Sequence, residues 1–394
     1  MRKLVIALAA STVLSSAALA EDIKVGVFLG LTGPLESIVA NMAPAAEMAI
    51  KEVSDSGALL DGVKIEAVRG DTTCVDAAAA TATAERLVTT DKVKAIVGGD
   101  CSGVTGATLQ NVARPNGIVM ISPSATSPGL STAEDDGLFF RTAPSDARQG
   151  EIVRDILMEK GVKTIAMTYT NNDYGKGLAE SIQKNFEAAG GTVTISAPHE
   201  DGKGDYSAEV GALAQAGGEV LVVAGYLDQG GKGIIQGALD TGAFSTFYLP
   251  DGMVGSALPK AIGAGLNGSY GANPGTDSPG AATFQEMAKA AGFDGTSAFA
   301  AESYDAAALI LLAMQAAGST DSAKLKEKVM DVANAPGEKI FPGELEKALK
   351  ILKDGGEIDY VGASAVELVG PGESAGNYRE IEIKDGEISV VKFR

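Results

Sequence analysis

Two successive series of short, continuous apolar runs constrain this chain more than any motif in it. Each run ends at glycine or at small or polar residues and gives way to a helical pattern. The first series falls at residues 23–29, 63–68, 94–97 and 117–121, the second at 164–169, 192–196, 219–224 and 246–249. Strands without apolar/polar alternation are buried on both faces, as in a parallel sheet covered by helices. The helical patterns between them run from the turn Leu31-Thr32-Gly33-Pro34 to about Val53, over 74–89 and from Ser102, then over 145–161, 174–189, 206–216 and 228–241. The chain is therefore predicted to be α/β, with two doubly wound parallel-sheet lobes in series and Phe140-Arg141-Thr142-Ala143-Pro144 as the first crossing between them.

From 263 to 280 the text turns loop-like (GAGLNGSYGANPGTDSPG). Helical patterns return at about 281–291, 300–317 and 322–332, and a hairpin, 380–383 with 387–392 around Asp385-Gly386, ends the chain. Helices that follow a loop rather than a further strand series are expected to return over the first unit. Lobe 1 is then 21–142 plus about 274–362, lobe 2 is 143–273 plus about 363–394, and three chain crossings form a hinge.

The chain opens with Met1-Arg2-Lys3 and an uncharged apolar run to Ala18-Leu19-Ala20, followed by Glu21-Asp22. This reads as a secretory signal peptide, residues 1–20, cleaved after Ala20. A retained anchor is the competing reading, but the run is short for a spanning helix and holds Ser11, Thr12, Ser15 and Ser16. The first 20 residues carry two of the 32 basic residues and none of the 51 acidic ones, so the remainder has a net charge of −21. Such a chain repels phosphate backbones, which excludes nucleic acid and anionic membrane surfaces as expected partners. Two cysteines, Cys74 and Cys101, in an exported chain read as one disulfide.

Enzyme chemistry finds little support. The only histidine, His199, stands in a polar loop (HEDGKGDY) and reads as a structural surface residue, so a cysteine nucleophile has no evident base. GAGLNG at 263–268 matches GxGxxG literally, but it lacks the strand before and the helix after that a dinucleotide site needs. Asp71 and Asp100 follow strand ends and can be read as an acid/base or metal pair, or as solvated or capping residues. No cofactor or metal is expected.

Binding chemistry is better represented. The stretch GGDCSGVTGATLQNVARPNGIVMISPSATSP at 98–128 brings two strand ends, one before a helix at Ser102 and one before the proline-held loop to Thr126, into the region where parallel sheets collect ligands. These hydroxyls suit a carboxylate. The strand ends of the second unit carry Asn172-Asp173-Tyr174, Gly225-Tyr226 and Pro250-Asp251-Gly252, so two rings and one acid face them. Together the walls are complementary to a zwitterion. Packing for each tyrosine and a turn role for Asp251 are the competing structural readings.

At these residues the chain resembles the periplasmic leucine/isoleucine/valine-binding proteins, type I solute-binding subunits of ABC transporters. LTGP at 31–34, the pair Cys74 and Cys101, CSGVTG, ISPSATSP, NNDYGKGLAES, AGY at 224–226 and LPDG at 249–252 carry the resemblance. It implies a Cys74–Cys101 disulfide, a ligand carboxylate held by Ser102, Ser124 and Thr126 with Ala125 beside them, and second-lobe contacts from Tyr174, Tyr226 and Asp251, the last pairing with an ammonium. Where leucine binders place an aromatic residue after GP, this chain has Ile38; Phe299 from the returning helices is a further apolar wall. The expected function is a periplasmic amino-acid-binding subunit of an ABC importer, a monomer that docks on an inner-membrane permease and catalyses no reaction. The alternatives are a binder of a non-amino carboxylate, amide or aromatic acid, or a ligand sensor for a membrane receptor.

Overall fold

The computed structural model describes residues 22–394; the expected signal peptide and its cleavage point lie outside them. The first five strands are β1 (Ile23–Leu29), β2 (Ile65–Asp71), β3 (Ala95–Gly98), β4 (Val119–Ser122) and β5 (Phe139–Pro144), parallel to one another in the order β5-β4-β3-β1-β2. The next five, β6 (Thr164–Thr170), β7 (Thr192–His199), β8 (Val220–Ala224), β9 (Phe247–Leu249) and β10 (Tyr270–Pro274), repeat the arrangement as β10-β9-β8-β6-β7. Helices cover both sheets. The helix Ala300–Ala317 is apolar almost all round and buried along nearly its whole length, as a helix inside the first lobe must be. No helix among the described residues is long and apolar enough to cross a membrane.

Several elements differ from the sequence reading. Residues 140–144, expected as a crossing, belong to strand β5 (Phe139–Pro144), and the chain crosses only at Pro144–Ser145. The strand escaped notice because Arg141 interrupts it; that arginine is 1 % exposed and pairs with Glu373 at 2.5 Å. Strand β10 lies inside the stretch expected to be a loop. Its sequence, YGANP, has no apolar run, and it is held by neighbours instead: β9 runs parallel on one side and β15 (Tyr378–Lys384) antiparallel on the other. Gly271 is needed there, since a Cβ would stand 1.9 Å from the Leu249 carbonyl oxygen.

The helix Leu345–Lys353 and a two-stranded sheet of β11 (Glu338–Ile340) and β12 (Ile358–Tyr360) were also unread. So were β13 (Leu368–Val369) and β14 (Glu373–Ser374), which extend the first sheet beyond β5. The first lobe thus keeps the chain to Ser374, not to about 362, because β14 pairs with β5 and Glu373 with Arg141. The final hairpin is β15 with β16 (Glu387–Phe393), as the sequence indicated, and it completes the second sheet. Chain passes between the sheets at 144–145, 275–278 and 375–377.

His199 is not on the surface. Strand β7 runs three residues past the expected end and places the imidazole at 1 % exposure, with Nδ1 2.9 Å from the Thr168 hydroxyl. Burial pushes its pKa down to about 4. The GAGLNG segment is a helical turn that follows the helix Ala257–Ile262, so no strand feeds it.

Candidate ligand cleft

The carboxyl ends of both sheets face one another across the cleft. On the first lobe, Asp100 follows β3 and is buried; its Oδ1 accepts from Thr72 Oγ1 at 2.7 Å and its Oδ2 from the Gly30 amide at 2.9 Å. One carboxylate therefore ties together the ends of β1, β2 and β3. Burial raises its pKa, and the Thr72 hydroxyl opposes that. Both of its carboxylate oxygens are thus engaged in holding the strand ends together. Asp71, the other half of the proposed pair, instead accepts from Thr32 Oγ1 at 2.7 Å. Cys74 and Cys101 are joined by the disulfide beside Asp100, so the only cluster of metal-ligating residue types among the described residues has no thiolate to offer.

The loop after β4 is locked onto this knot. Ser122 Oγ donates to the Gly99 carbonyl at 2.6 Å and accepts from the Ala125 amide at 2.9 Å, and Ser124 Oγ donates to the Asp100 carbonyl at 3.0 Å. Ser102, the first residue of the helix Ser102–Thr108, accepts from the Ser127 amide at 3.1 Å, which leaves its hydroxyl proton to point elsewhere. Thr126 is buried, and its hydroxyl, which lies beside the Asp146 carboxyl, makes no hydrogen bond of good geometry among the described residues.

On the second lobe, Asn172 caps the helix Asp173–Ala188 by accepting from the Gly175 amide at 3.0 Å, and this fixes Tyr174 in the first turn. Tyr174 donates its hydroxyl to Asp251 Oδ1 at 2.7 Å, and the Gly252 amide donates to the same oxygen at 2.7 Å. The Gln149 amide also lies beside the Asp251 carboxylate. The Tyr226 ring stacks on Tyr174 with centroids 5.2 Å apart and planes 13° from parallel. Burial raises both phenol pKa values, with the Asp251 charge adding to the rise at Tyr174, so both are neutral donors.

Ser102, Ser124, Tyr174, Tyr226, Asp251 and Phe299 line one cavity between the lobes, together with Leu35, Asp100, Cys101 and Gly252, which the sequence reading had not placed there. Ala125 and Thr126, in the same loop as Ser124, are buried and are not among its lining residues in this closed form. Ile38 is elsewhere. The helix Glu36–Ser56 begins one turn before it, so Leu35 takes the wall position, while Ile38 turns toward Gly255 in a separate groove of about 630 Å³. The signal for Leu35 was its place directly after the 31–34 turn.

The cavity measures about 10 Å³, at most the room one water needs on this measure, ~10–15 Å³. The lobes are closed on each other, and Ser37 N donates to Asp228 Oδ2 at 2.9 Å while Asp228 N donates to the Pro34 carbonyl at 3.0 Å. A solute the size of an amino acid enters only when these contacts part.

The sequence model of the family described as periplasmic binding protein matches residues 22–343. A Leu/Ile/Val-binding protein homolog 1 from Brucella melitensis is 33 % identical over 307 residues, covering 76 % of this chain and 80 % of its own length. The crystal structure of the leucine-binding protein LivK from Thermotoga maritima superposes with a TM-score of 0.79 at 21 % identity, over 94 % of this chain and 98 % of its own. A solute-binding protein of an ABC transporter from Rhodopseudomonas palustris, in complex with p-hydroxybenzoic acid, gives 0.76 at 18 % identity, over 95 % and 97 %.

Proposed function

The chain belongs to the periplasmic binding protein family, and on that premise we propose that it is the exported amino-acid-binding subunit of an ABC importer. Its fold is the type I fold of that family, two α/β lobes about a cleft, and it is a binding protein and not an enzyme. In this reading the segment before Glu21 is removed on export, and the monomer docks on a permease through both lobes. Ser102 and Thr126 take the ligand carboxylate, with Ser124 and Ala125 shaping the loop that presents it. Asp251 takes the ammonium. Tyr174, Tyr226, Phe299 and Leu35 surround the aliphatic part; Ile38 supports that wall from outside.

The observation that carries the proposal is the opposition of Ser102 and Asp251 across one cavity, with Asp251 Oδ1 already occupied by Tyr174 and Gly252. A buried carboxylate so held is costly without a cation, and an α-ammonium supplies one. Closure follows because a ligand that bonds both walls has more affinity for the closed form than for the open one.

The stacked tyrosine pair also suits an aromatic acid, and this is the second reading. Calorimetric titration of the stripped protein with leucine, its 2-oxo acid and p-hydroxybenzoate, each repeated on Asp251→Asn, separates the two. Leucine binding that the substitution abolishes supports the amino-acid reading. Equal binding of leucine and the oxo acid, or binding of p-hydroxybenzoate alone, overturns it.

A further inference from the structure

Behind Asp251 lies a group of buried polar side chains of which the ligand contacts above use only Thr126. Asp146 is the first residue of the helix Asp146–Glu159, directly after the first crossing, and its amide donates to the Thr126 carbonyl at 2.8 Å. It is fully buried, and among the described residues neither of its carboxylate oxygens has a hydrogen bond of good geometry. The same holds for both ends of the Gln149 amide and for the hydroxyls of Thr126, Tyr248 and Tyr378, all buried. These groups form one neighbourhood: Thr126 lies beside Asp146, Gln149 beside Asp251, and Tyr378 feels both carboxylates.

Two water-excluded carboxylates that act on each other cannot both ionise without a counter-charge. The charged group facing Asp146 from β5 is Arg141, but its guanidinium is committed to the Ala125 and Ser127 carbonyls, the Ser131 hydroxyl and Glu373. The other titratable neighbours are Tyr174 from the helix Asp173–Ala188, Tyr226 after β8, Tyr248 from β9, Tyr378 from β15 and Arg148 two residues along Asp146's own helix. Except for the two arginines, none brings positive charge.

We propose that Asp146 and Asp251 share a single proton in the ligand-free protein, and that an ammonium ligand is taken up in exchange for it. This rests on the reading of Asp251 as the ammonium site. On binding, the carboxyl O–H bond breaks, the proton passes to solvent, and the ammonium, which keeps all its own protons, replaces it as the positive partner of the pair. Burial acts in the required direction on both carboxyls, and the Asp251 charge adds to it at Asp146, holding Asp146 well above the ordinary carboxylate range and Asp251 above it as well. Asp146 thereby sets the charge at the site from the hinge, without touching the ligand.

The test is leucine titration in pairs of buffers that differ in ionisation enthalpy, from pH 5 to pH 9, on the full mature protein and on Asp146→Asn. The expected result is release of about one proton per leucine at the acid end, falling to none at the alkaline end, with affinity rising about tenfold per pH unit until the pair has lost its proton. Asp146→Asn, whose amide mimics the protonated acid, is expected to bind leucine with no proton release and a flat pH profile. Because the wild-type proton count alone is decisive, a variant that fails to fold does not remove the test. Leucine binding with no proton release at any pH overturns the exchange and leaves the amino-acid reading standing. Unchanged release in Asp146→Asn assigns the proton elsewhere and also overturns it. No leucine binding at all overturns both.

Discussion

Asp228 of the second lobe accepts the Ser37 amide of the first at 2.9 Å and donates its own amide to Pro34, so one residue grips both ends of the turn that opens the helix Glu36–Ser56. A hydrogen bond to a charged group contributes about 1.5–3 kcal/mol, toward the low end when partly exposed as here. Asp228→Ala is expected to weaken ligand affinity by about tenfold and to shift the solute-free protein toward the open form. Small-angle scattering with and without solute reads the shift; an unchanged profile and affinity would show that the grip is incidental.

Tyr174→Phe removes the hydroxyl that bonds Asp251 Oδ1 but keeps the ring stacked on Tyr226. The carboxylate loses a partner that stabilises its charged form, so its pKa moves further up. Leucine affinity at neutral pH is expected to fall by about tenfold with little change in melting temperature, and to recover partly as pH rises. A loss independent of pH would place the effect in packing.

His199 gives stability a definite pH dependence. Its pKa of about 4 in the folded protein lies below the ordinary 6.5, so the unfolded chain takes the proton first. The stability held by the neutral imidazole is complete above about pH 6.5 and is lost as pH falls toward 4, to the order of 3 kcal/mol. Glu302, pushed up to about 7 by burial, slopes the other way, since it favours the folded state at low pH and loses that contribution as pH rises from 4.5 to 7. The two partly offset, and the clean measurement is the difference between wild type and His199→Gln in urea unfolding at pH 4.5 and 7.5. The wild type is expected to lose more on acidification; equal losses would remove the buried imidazole as the cause.

The disulfide closes a span of 27 residues between the ends of β2 and β3. Loop-closure entropy assigns such a crosslink about 3–4 kcal/mol, model-dependent. Reduction, or the double Cys74→Ser, Cys101→Ser variant, is expected to lower the melting temperature by several degrees and to weaken solute binding more than a distant lesion of equal cost, because Cys101 precedes Ser102 directly and lines the cavity. Thermal melts and titration on the same samples separate the two effects.

How far the sequence could be read depended on whether an element carries its own pattern. Strand β1 and the helix Ala300–Ala317 match their expected spans because each is dominated by apolar and small residues that few polar ones interrupt. The helix Leu345–Lys353 was equally legible, with Leu345, Ala348 and Leu349 buried at i, i+3 and i+4, and was passed over. Strand β10 and the two-residue strands β13 and β14 exist through their neighbours and leave no local trace. The placement of Ile38 failed on helix phase, since the position of Leu35 depends on where the first turn starts. The Asp146–Asp251 pair joins residues 105 positions apart at a crossing, and spacing alone cannot bring them together.

The last strands of the second sheet come from the end of the chain. Its edge at β10 acquires its antiparallel neighbour β15 only after the first lobe has received β14, so in chain order the second sheet is completed after the first. Until then β10 offers an unpaired strand edge, a template for misassociation.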